Sequence, residues 1–429
     1  MDDPELSPQQ TLAMDKVADW WSGPRAEPFR LFGYAGTGKT TIARTIVGSL
    51  GLSGALYAAF TGKATHVLRG KGCEPASTIH SLIYLPRERA RSHLRELRRQ
   101  LDQVTRSAVL PIDQHLIDKL KSDIRIEEER LATPSFLLRA MNESRLPAAP
   151  LLVVDEVSMV NERMATDLMS FNVPLLVLGD PAQLRPVEGD GYFIDHEPDH
   201  LLTEVHRSAL DSPVTRIATA VRQATYPDGR YGVHGEDDES GRVRDITRAD
   251  LDLFDQVLCG TNVTRWQAIR TIRALRGRDA GDGPDRGDRV IVLANNGDAD
   301  VYNGQQFKII ASERNGDHYD LYVESDTGED RELSVWRYGF LGPDGERRAR
   351  LQGSRGETVA ATYAQAITVH KAQGSQWPRV LVIDESGVFA RMGRGSGQDR
   401  YLAGKRWLYT GVTRASEQVV ICNPGVIRS

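Results

Sequence analysis

Gly33-Tyr34-Ala35-Gly36-Thr37-Gly38-Lys39-Thr40 follows a short apolar run, Phe29 to Phe32, and precedes a helix-like stretch from Thr40 to Leu50. Every specified position of the phosphate-binding pattern G-x-x-x-x-G-K-[ST] is filled, and the strand-then-helix setting is the one the pattern requires. The glycines let the backbone curl so that its N–H groups face phosphates at a helix N-terminus. Lys39 is placed to reach the β- and γ-phosphates, and Thr40 to offer its hydroxyl to Mg²⁺.

A loop of this kind needs a carboxylate delivered by a neighbouring strand. Leu151-Leu152-Val153-Val154-Asp155-Glu156 supplies it: a continuous apolar run ends at two acids. Asp155 is positioned to hold Mg²⁺ with Thr40, and Glu156 to orient and deprotonate an attacking water. The pair implies hydrolysis of a nucleoside triphosphate. Leu56 to Phe60 and Leu175 to Leu178 add further apolar strands, alternating with helices, which is the grammar of a parallel sheet covered on both faces. Upstream, Ser7-Pro8-Gln9-Gln10 opens a helix, with Ser7 as N-cap, Pro8 at the first position and Gln10 closing a capping box.

The rest of the 429 residues divides by pattern. From Pro86 to Arg145, Leu94, Leu97, Leu101 and Val104 keep helical spacing among many arginines; Pro111 breaks the pattern, and Leu116, Leu120 and Ile124 resume it. This predicts a basic helical hairpin, whose arginines form either a solvated face or a DNA contact. Tyr226 to Gly241 reads as an exposed polar loop. From Asp288 to about Val359 the pattern is β-like, with turns at Asn303-Gly304 and Asn315-Gly316, and strands return at Ala366 to Val369, Val380 to Ile383 and Val419 to Cys422.

Composition bounds what such a chain does. Charged residues make up 26%, hydrophobic residues 40%, and the net charge is −5, so nucleic-acid binding has to come from local basic grooves. No apolar run reaches the ~18–20 residues of a bilayer span, and the first residues carry no signal-peptide pattern. Cys73, Cys259 and Cys422 lie too far apart for a zinc pattern or a disulfide framework, which fits a reducing cytoplasm.

Gly179-Asp180-Pro181-Ala182-Gln183-Leu184-Arg185-Pro186 selects among P-loop classes: it resembles motif III of superfamily 1 helicases, most closely the class B, RecD-like and phage Dda-like group. Thr368-Val369-His370-Lys371-Ala372-Gln373-Gly374-Ser375 resembles motif V of that group, and Tyr409-Thr410-Gly411-Val412-Thr413-Arg414-Ala415 motif VI. Thr61-Gly62-Lys63-Ala64 stands at motif Ia and Thr78-Ile79-His80 at the next DNA-contact motif. Val205-His206-Arg207-Ser208 stands at motif IV, and Val301-Tyr302-Asn303-Gly304 resembles a turn of the group's β-barrel insert. These stretches run in family order from residue 6 to 416. Arg185 departs from a usual Pro, Phe60 from a frequent Pro, and Ser208 from a usual Gln.

The resemblance implies an α/β fold of two RecA-like P-loop domains with parallel sheets, carrying one helical insertion and one small all-β, SH3-like insertion. The pieces are expected at 1–85 and 146–190 for the first domain and 86–145 for the helical pin. The second domain is expected at 191–287 and 360–429, and the β insert at 288–359. It further implies an ATP- and Mg²⁺-dependent DNA helicase that moves 5′→3′ on single-stranded DNA and acts at single-strand/duplex junctions. Partner proteins of replication or recombination are not identified by it. An RNA-directed motor of the same superfamily, or a non-unwinding ATP-gated clamp or loader, are the alternatives. By position, Gln10 would read adenine, and Gly36, Thr37, Gly38, Lys39, Thr40, Thr41, Asp155 and Gly374 would contact the nucleotide and its metal. Glu156 would activate water, Gln183 would sense the γ-phosphate, and Arg207 and Arg414 would be arginine fingers. Thr61, Lys63, His80, Thr368, His370 and Lys371 would touch the strand, although both histidines also suit buried structural positions. Tyr84 and Phe136 are the aromatics nearest the pin, and Trp336 and Tyr338 those of the β insert; each fits either packing or base contact.

Overall fold

The computed structural model describes residues 6–85, 94, 96–101, 103–104, 116–117, 119–124, 137–186, 191–205, 212–233, 246–279, 283–296, 298–325, 328–352 and 358–427. The calls on Phe136 and on His206, Arg207 and Ser208 therefore lie outside the described residues.

The chain opens with helix α1 (Pro8–Ser22), whose capping box is formed as the sequence predicts: the Gln10 N–H donates to Ser7 Oγ and the Ser7 N–H to Gln10 Oε1. Strand β1 (Phe29–Gly33) and helix α2 (Lys39–Ser49) flank the glycine-rich loop. Then come β2 (Leu56–Ala59), α3 (Gly62–Gly70), β3 (Ala76–Thr78), α4 (Ile79–Ile83) and β4 (Tyr84–Leu85). After β5 (Leu137–Leu138) follow β6 (Leu152–Asp155), α5 (Glu162–Met169), β7 (Leu175–Gly179) and β8 (His200–Leu202). Six of these strands form one parallel sheet in the order β3-β2-β6-β7-β1-β8. Leu152, Val154, Leu176, Val177 and Leu178 are fully buried, which is why those strands read as unbroken apolar runs. A Leu176→Ala cavity in this core would cost roughly 2–5 kcal/mol.

The sheet corrects one expected boundary. His200–Leu202 pairs in parallel with Leu31–Gly33, so the first domain continues past residue 190. Three residues are too few to show a period, so only the pairing reveals the strand.

The helical insertion leaves the first domain through a narrow neck, where Tyr84 pairs with Leu138 and Leu85 with Leu137, antiparallel. Residues 96–101 and 119–124 are helical, with Leu97 and Leu120 buried as the helical spacing predicts, whereas Leu116 is exposed and its neighbour Ile117 takes the buried position. Tyr84 is core: it is 5% exposed and its hydroxyl donates to Asp167 at 2.7 Å.

The second domain contains α6 (Pro213–Gln223), β9 (Gln256–Cys259) and α7 (Asn262–Leu275). The β insert follows, with β10 (Arg289–Val292), β11 (Gln306–Asn315), β12 (His318–Ser325), β13 (Asp330–Trp336), helix α8 (Pro343–Gln352) and β14 (Ala361–Tyr363). Its five strands are antiparallel in the order β13-β12-β11-β10-β14. The domain resumes with β15 (Ala366–Thr368), α9 (Val369–Ala372), β16 (Trp377–Ile383), α10 (Ser386–Met392), α11 (Gly397–Val412) and β17 (Ala415–Cys422). Its parallel sheet runs β15-β9-β16-β17. Tyr338 is buried in the insert, so it packs the barrel. The stretch from Tyr226 is not uniformly exposed: Tyr226 is 55% exposed, but Tyr231 is buried and stacks on Tyr401. Among the described residues no helix is long and apolar enough to cross a membrane.

Candidate active site

The nucleotide loop is shaped by two left-handed glycines, Gly36 (φ 80°) and Gly38 (φ 76°), the second of which caps α2. A residue with a β-carbon would pay about 1–2 kcal/mol in that conformation, so the motif's glycines are a backbone requirement. Thr37 is buried and its hydroxyl donates to the Tyr34 carbonyl at 2.8 Å. Lys39 Nζ donates to the carbonyls of Gly33 (2.6 Å) and Tyr34 (3.0 Å), which holds the ammonium over the loop. Gln10 is drawn in as well: its Nε2 donates to the Thr37 carbonyl at 3.2 Å. Thr41 lies on the first turn of α2, where its carbonyl accepts from Thr45 Oγ1 at 3.3 Å.

Parallel pairing of β1, β7, β6 and β2 brings the second strand motif alongside this loop. Thr40 Oγ1 donates to Asp155 Oδ2 at 2.9 Å, so a hydroxyl and a carboxylate converge where a divalent cation would sit. Asp155 Oδ1 accepts the Glu156 N–H at 2.8 Å. Glu156 itself has φ 57°, a left-handed conformation rare for a residue with a side chain and worth of order 1–3 kcal/mol of strain. In this conformation the Glu156 carboxylate faces Arg414 of the second domain. Burial pushes its carboxyl upward in pKa, while Arg414 draws it back down.

Arg414 comes from the second domain. Its Nη1 lies 3.9 Å from Glu156 Oε1, and the guanidinium is held by the Thr410 carbonyl, the Ser375 carbonyl and Thr413 Oγ1. Arg414 is 3% exposed. Gln183 is also buried in this cleft, and its Oε1 has no hydrogen-bond partner among the described residues. Arg185, where a proline was expected, forms an ion pair with Asp195 in its own domain. Two residues at the cleft were not anticipated from the sequence. Tyr409 bonds both Ala35 and Asp180, and Arg222 stacks its guanidinium over the Tyr34 ring at 4.0 Å.

Beside the nucleotide site runs a groove of about 650 Å³ between the first domain, the β insert and the motif V segment. Thr61, Lys63 and Lys371 line it together with Thr78 and Tyr302 of the other motif stretches, and so do Arg69, Arg331 and Trp377, which the sequence did not single out. Thr61 caps α3 and Thr78 caps α4, each accepting a backbone N–H at 3.2 Å. Lys63 Nζ stands 4.4 Å over the Trp377 ring. Lys371 Nζ is buried with no hydrogen-bond partner among the described residues, and burial followed by Arg350 lowers its pKa to about 7, against the pull of Glu346. Gly374 (φ 73°) packs against Thr61, so close that a β-carbon would come within 2.4 Å of Thr61 Oγ1. The histidines are placed differently: His80 packs between Phe60 and Tyr84, and His370 against Phe389. Burial lowers both imidazole pKa values, and neither ring lines the groove. Thr368 caps α9 by accepting the Lys371 N–H. A second concavity, of about 780 Å³, lies on the β insert and shares Arg331 with this groove.

A P-loop, a strand-borne Asp-Glu pair and an arginine reaching across from a second parallel sheet define a P-loop NTPase of two RecA-like domains. Residues 24–189 match the AAA domain family model, and residues 363–422 the UvrD-like helicase C-terminal domain model. These matches join a P-loop ATPase domain to a helicase-type C-terminal domain, in the order in which the motifs resemble those of superfamily 1, class B helicases. No curated protein matches it in sequence. In fold it is similar to a Pif1 helicase structure described as the basis for DNA unwinding at forked double-stranded DNA by two coordinating Pif1 helicases. That similarity has 17% identity and a TM-score of 0.51, covering 97% of this chain and 92% of the other. Bacteroides Pif1 in complex with ADP-AlF3 and ssDNA aligns at 17% identity and TM-score 0.49, covering 98% and 92%. Pif1 from Candida albicans aligns at 18% and 0.45, covering 99% and 97%.

Proposed function

We propose that the chain is an ATP-driven DNA helicase that translocates 5′→3′ on single-stranded DNA and separates strands at single-strand/duplex junctions. The observation that carries this reading is the meeting of Glu156 and Arg414 across the cleft, 3.9 Å apart, beside an intact P-loop. A hydrolytic site assembled from two domains opens and closes with nucleotide turnover, and the groove alongside is built from the same two domains.

In the cycle, backbone N–H groups of the loop and Lys39 bind the phosphates, and Glu156 takes a proton from the attacking water. Gln183, with its free carbonyl oxygen, contacts the γ-phosphate side, and Arg414 stabilises charge on the transferring phosphoryl group. Arg207 is assigned the matching role from motif IV by resemblance alone. Thr40 and Asp155 fit Mg²⁺, which when bound neutralises phosphate charge; Gln10 and Thr41 complete the nucleotide site, with Gly374 at the domain contact.

The strand lies in the groove. Thr61, Lys63 and Lys371 meet phosphates without reading sequence, and Thr368 orients the Lys371 backbone. His80 and His370 contribute as packing supports of these segments. The pin is the insertion between β4 and β5, and the β insert covers the strand. The domain pieces are those read from the sequence, with the first extended to Leu202 and the β insert to Tyr363. Three buried, unpaired cysteines suit a reducing compartment such as the cytoplasm.

The direct test is ATP hydrolysis with and without single-stranded DNA or RNA of equal length. Stimulation by DNA well above that by RNA is expected. Equal stimulation by both would move the assignment to an RNA-directed motor, and stimulation by neither would remove the motor reading.

A further inference from the structure

The end of helix α11 does more than lead to Arg414. From Tyr409 to Arg414, two residues past the helix, the chain sends side chains to three separate segments of the first domain. Thr410 Oγ1 accepts the Leu184 N–H at 2.8 Å, Arg414 reaches Glu156, and between them in function lies Tyr409. The Tyr409 hydroxyl accepts the Ala35 N–H at 3.0 Å and donates to Asp180 Oδ2 at 2.8 Å. Tyr409 is 1% exposed and Asp180 equally so. A phenol in so closed a place needs partners for its hydroxyl, and here both come from the opposite domain, one from the P-loop and one from motif III.

Those partners are not bystanders. Ala35 is two residues past the first glycine of the P-loop, and its N–H belongs to the run that cradles phosphates. Asp180 organises the turn that carries Gln183: its Oδ1 accepts the Ala182 N–H at 3.0 Å, and its carbonyl the Gln183 N–H at 3.1 Å. A ring needed only for packing would be served by phenylalanine. Arg222 adds a second hold on the loop by stacking over Tyr34, the residue before Ala35.

We infer that Tyr409 is a positioning residue of the hydrolytic cycle, whose hydroxyl ties the P-loop and the Asp180–Gln183 turn to the second domain so that domain closure sets their geometry together. The inference rests on the ATPase reading given above. Tyr409 touches no reacting atom; it acts through Ala35 and through Asp180.

The test is a double-mutant cycle on the full chain, Tyr409→Phe with Asp180→Asn, read as ssDNA-stimulated turnover. Loss of a buried hydrogen bond to a carboxylate is expected to lower kcat on the order of tenfold. The KM for ATP should stay within about twofold, because nucleotide affinity and turnover separate when only the closed geometry is lost. The double variant should be no slower than Tyr409→Phe alone, since that substitution already breaks the Tyr409–Asp180 bond that Asp180→Asn weakens. Losses that multiply, or a Tyr409→Phe protein with wild-type kcat, would overturn the inference. An inactive wild-type chain would instead strike at the ATPase reading, so the two failures are distinguishable.

Discussion

Arg414 Nη1 of the second domain stands 3.9 Å from Glu156 Oε1 of the first, with the guanidinium otherwise held by two backbone carbonyls and a threonine hydroxyl. The arginine is thus fixed by its own domain and aimed at the other's base. Arg414→Ala should lower kcat by about 10³-fold or more, as for other arginine fingers, with nucleotide binding retained. It also removes the group that holds the Glu156 carboxyl down, so the acidic limb of the pH–rate profile should move to higher pH. A fluorescent-nucleotide titration and a kcat profile from pH 5 to 9 would check both; an unmoved limb would separate Glu156 from the rate-limiting proton transfer.

Glu156→Gln should keep ATP and ssDNA binding and lose turnover, whereas Lys39→Ala should lose hydrolysis through weakened phosphate binding. Single-turnover hydrolysis beside equilibrium binding distinguishes the two. Normal turnover in Glu156→Gln would remove it as the base.

Lys371 should make strand binding pH-dependent. Its ammonium is held down to about 7 by burial and by Arg350, with Glu346 pulling the other way and Arg265 adding repulsion. A phosphate in the groove favours the charged form, so the group takes up a proton on binding at pH above 7. Affinity for ssDNA should therefore fall as pH rises from 6 to 8.5, and Lys371→Met should flatten that slope while weakening binding at pH 6. Anisotropy titrations at fixed salt read it directly; an identical slope in the variant would place the titrating group elsewhere.

Excision of the helical insertion should separate two activities. Leu85 and Leu137 are paired across the neck, so a short turn can join them without moving the sheet. The shortened protein should keep ssDNA-stimulated ATPase and lose most strand separation. Equal loss of both would count against the pin assignment.

Gly374→Ala places a β-carbon 2.4 Å from Thr61 Oγ1, inside contact distance, in a left-handed backbone. A destabilisation of about 1–2 kcal/mol is expected from the backbone alone, together with loss of DNA stimulation, because Thr61 and Lys371 are pushed apart. Thermal melting and stimulated turnover would show both.

Much of this site was legible before any coordinates. The P-loop, Asp155 and Glu156 are visible because their chemistry demands particular residues beside apolar strands, and those strands bury continuous runs such as Leu175 to Leu178. The β insert was legible from alternation and from turns such as that at Gly316. What escaped lies in contacts between distant segments. Tyr409 and Ala35 are 374 positions apart, and nothing local marks a tyrosine on a buried helix as a tie to the P-loop. His80 and His370 sit in contact motifs, yet their rings pack on Phe60, Tyr84 and Phe389, a distinction only side-chain packing makes. Trp377 and Arg69 enter the groove through tertiary placement, since neither belongs to a residue pattern with a chemical requirement.

The central claim, a 5′→3′ motor, is tested most directly by ATP-dependent strand displacement on matched DNA duplexes carrying either a 5′ or a 3′ single-stranded tail. Displacement from the 5′ tail alone is the predicted result, and Lys39→Ala should abolish it. Displacement from the 3′ tail alone would reverse the polarity, and displacement from neither, with ATPase still stimulated by ssDNA, would reduce the protein to a translocase or ATP-gated clamp.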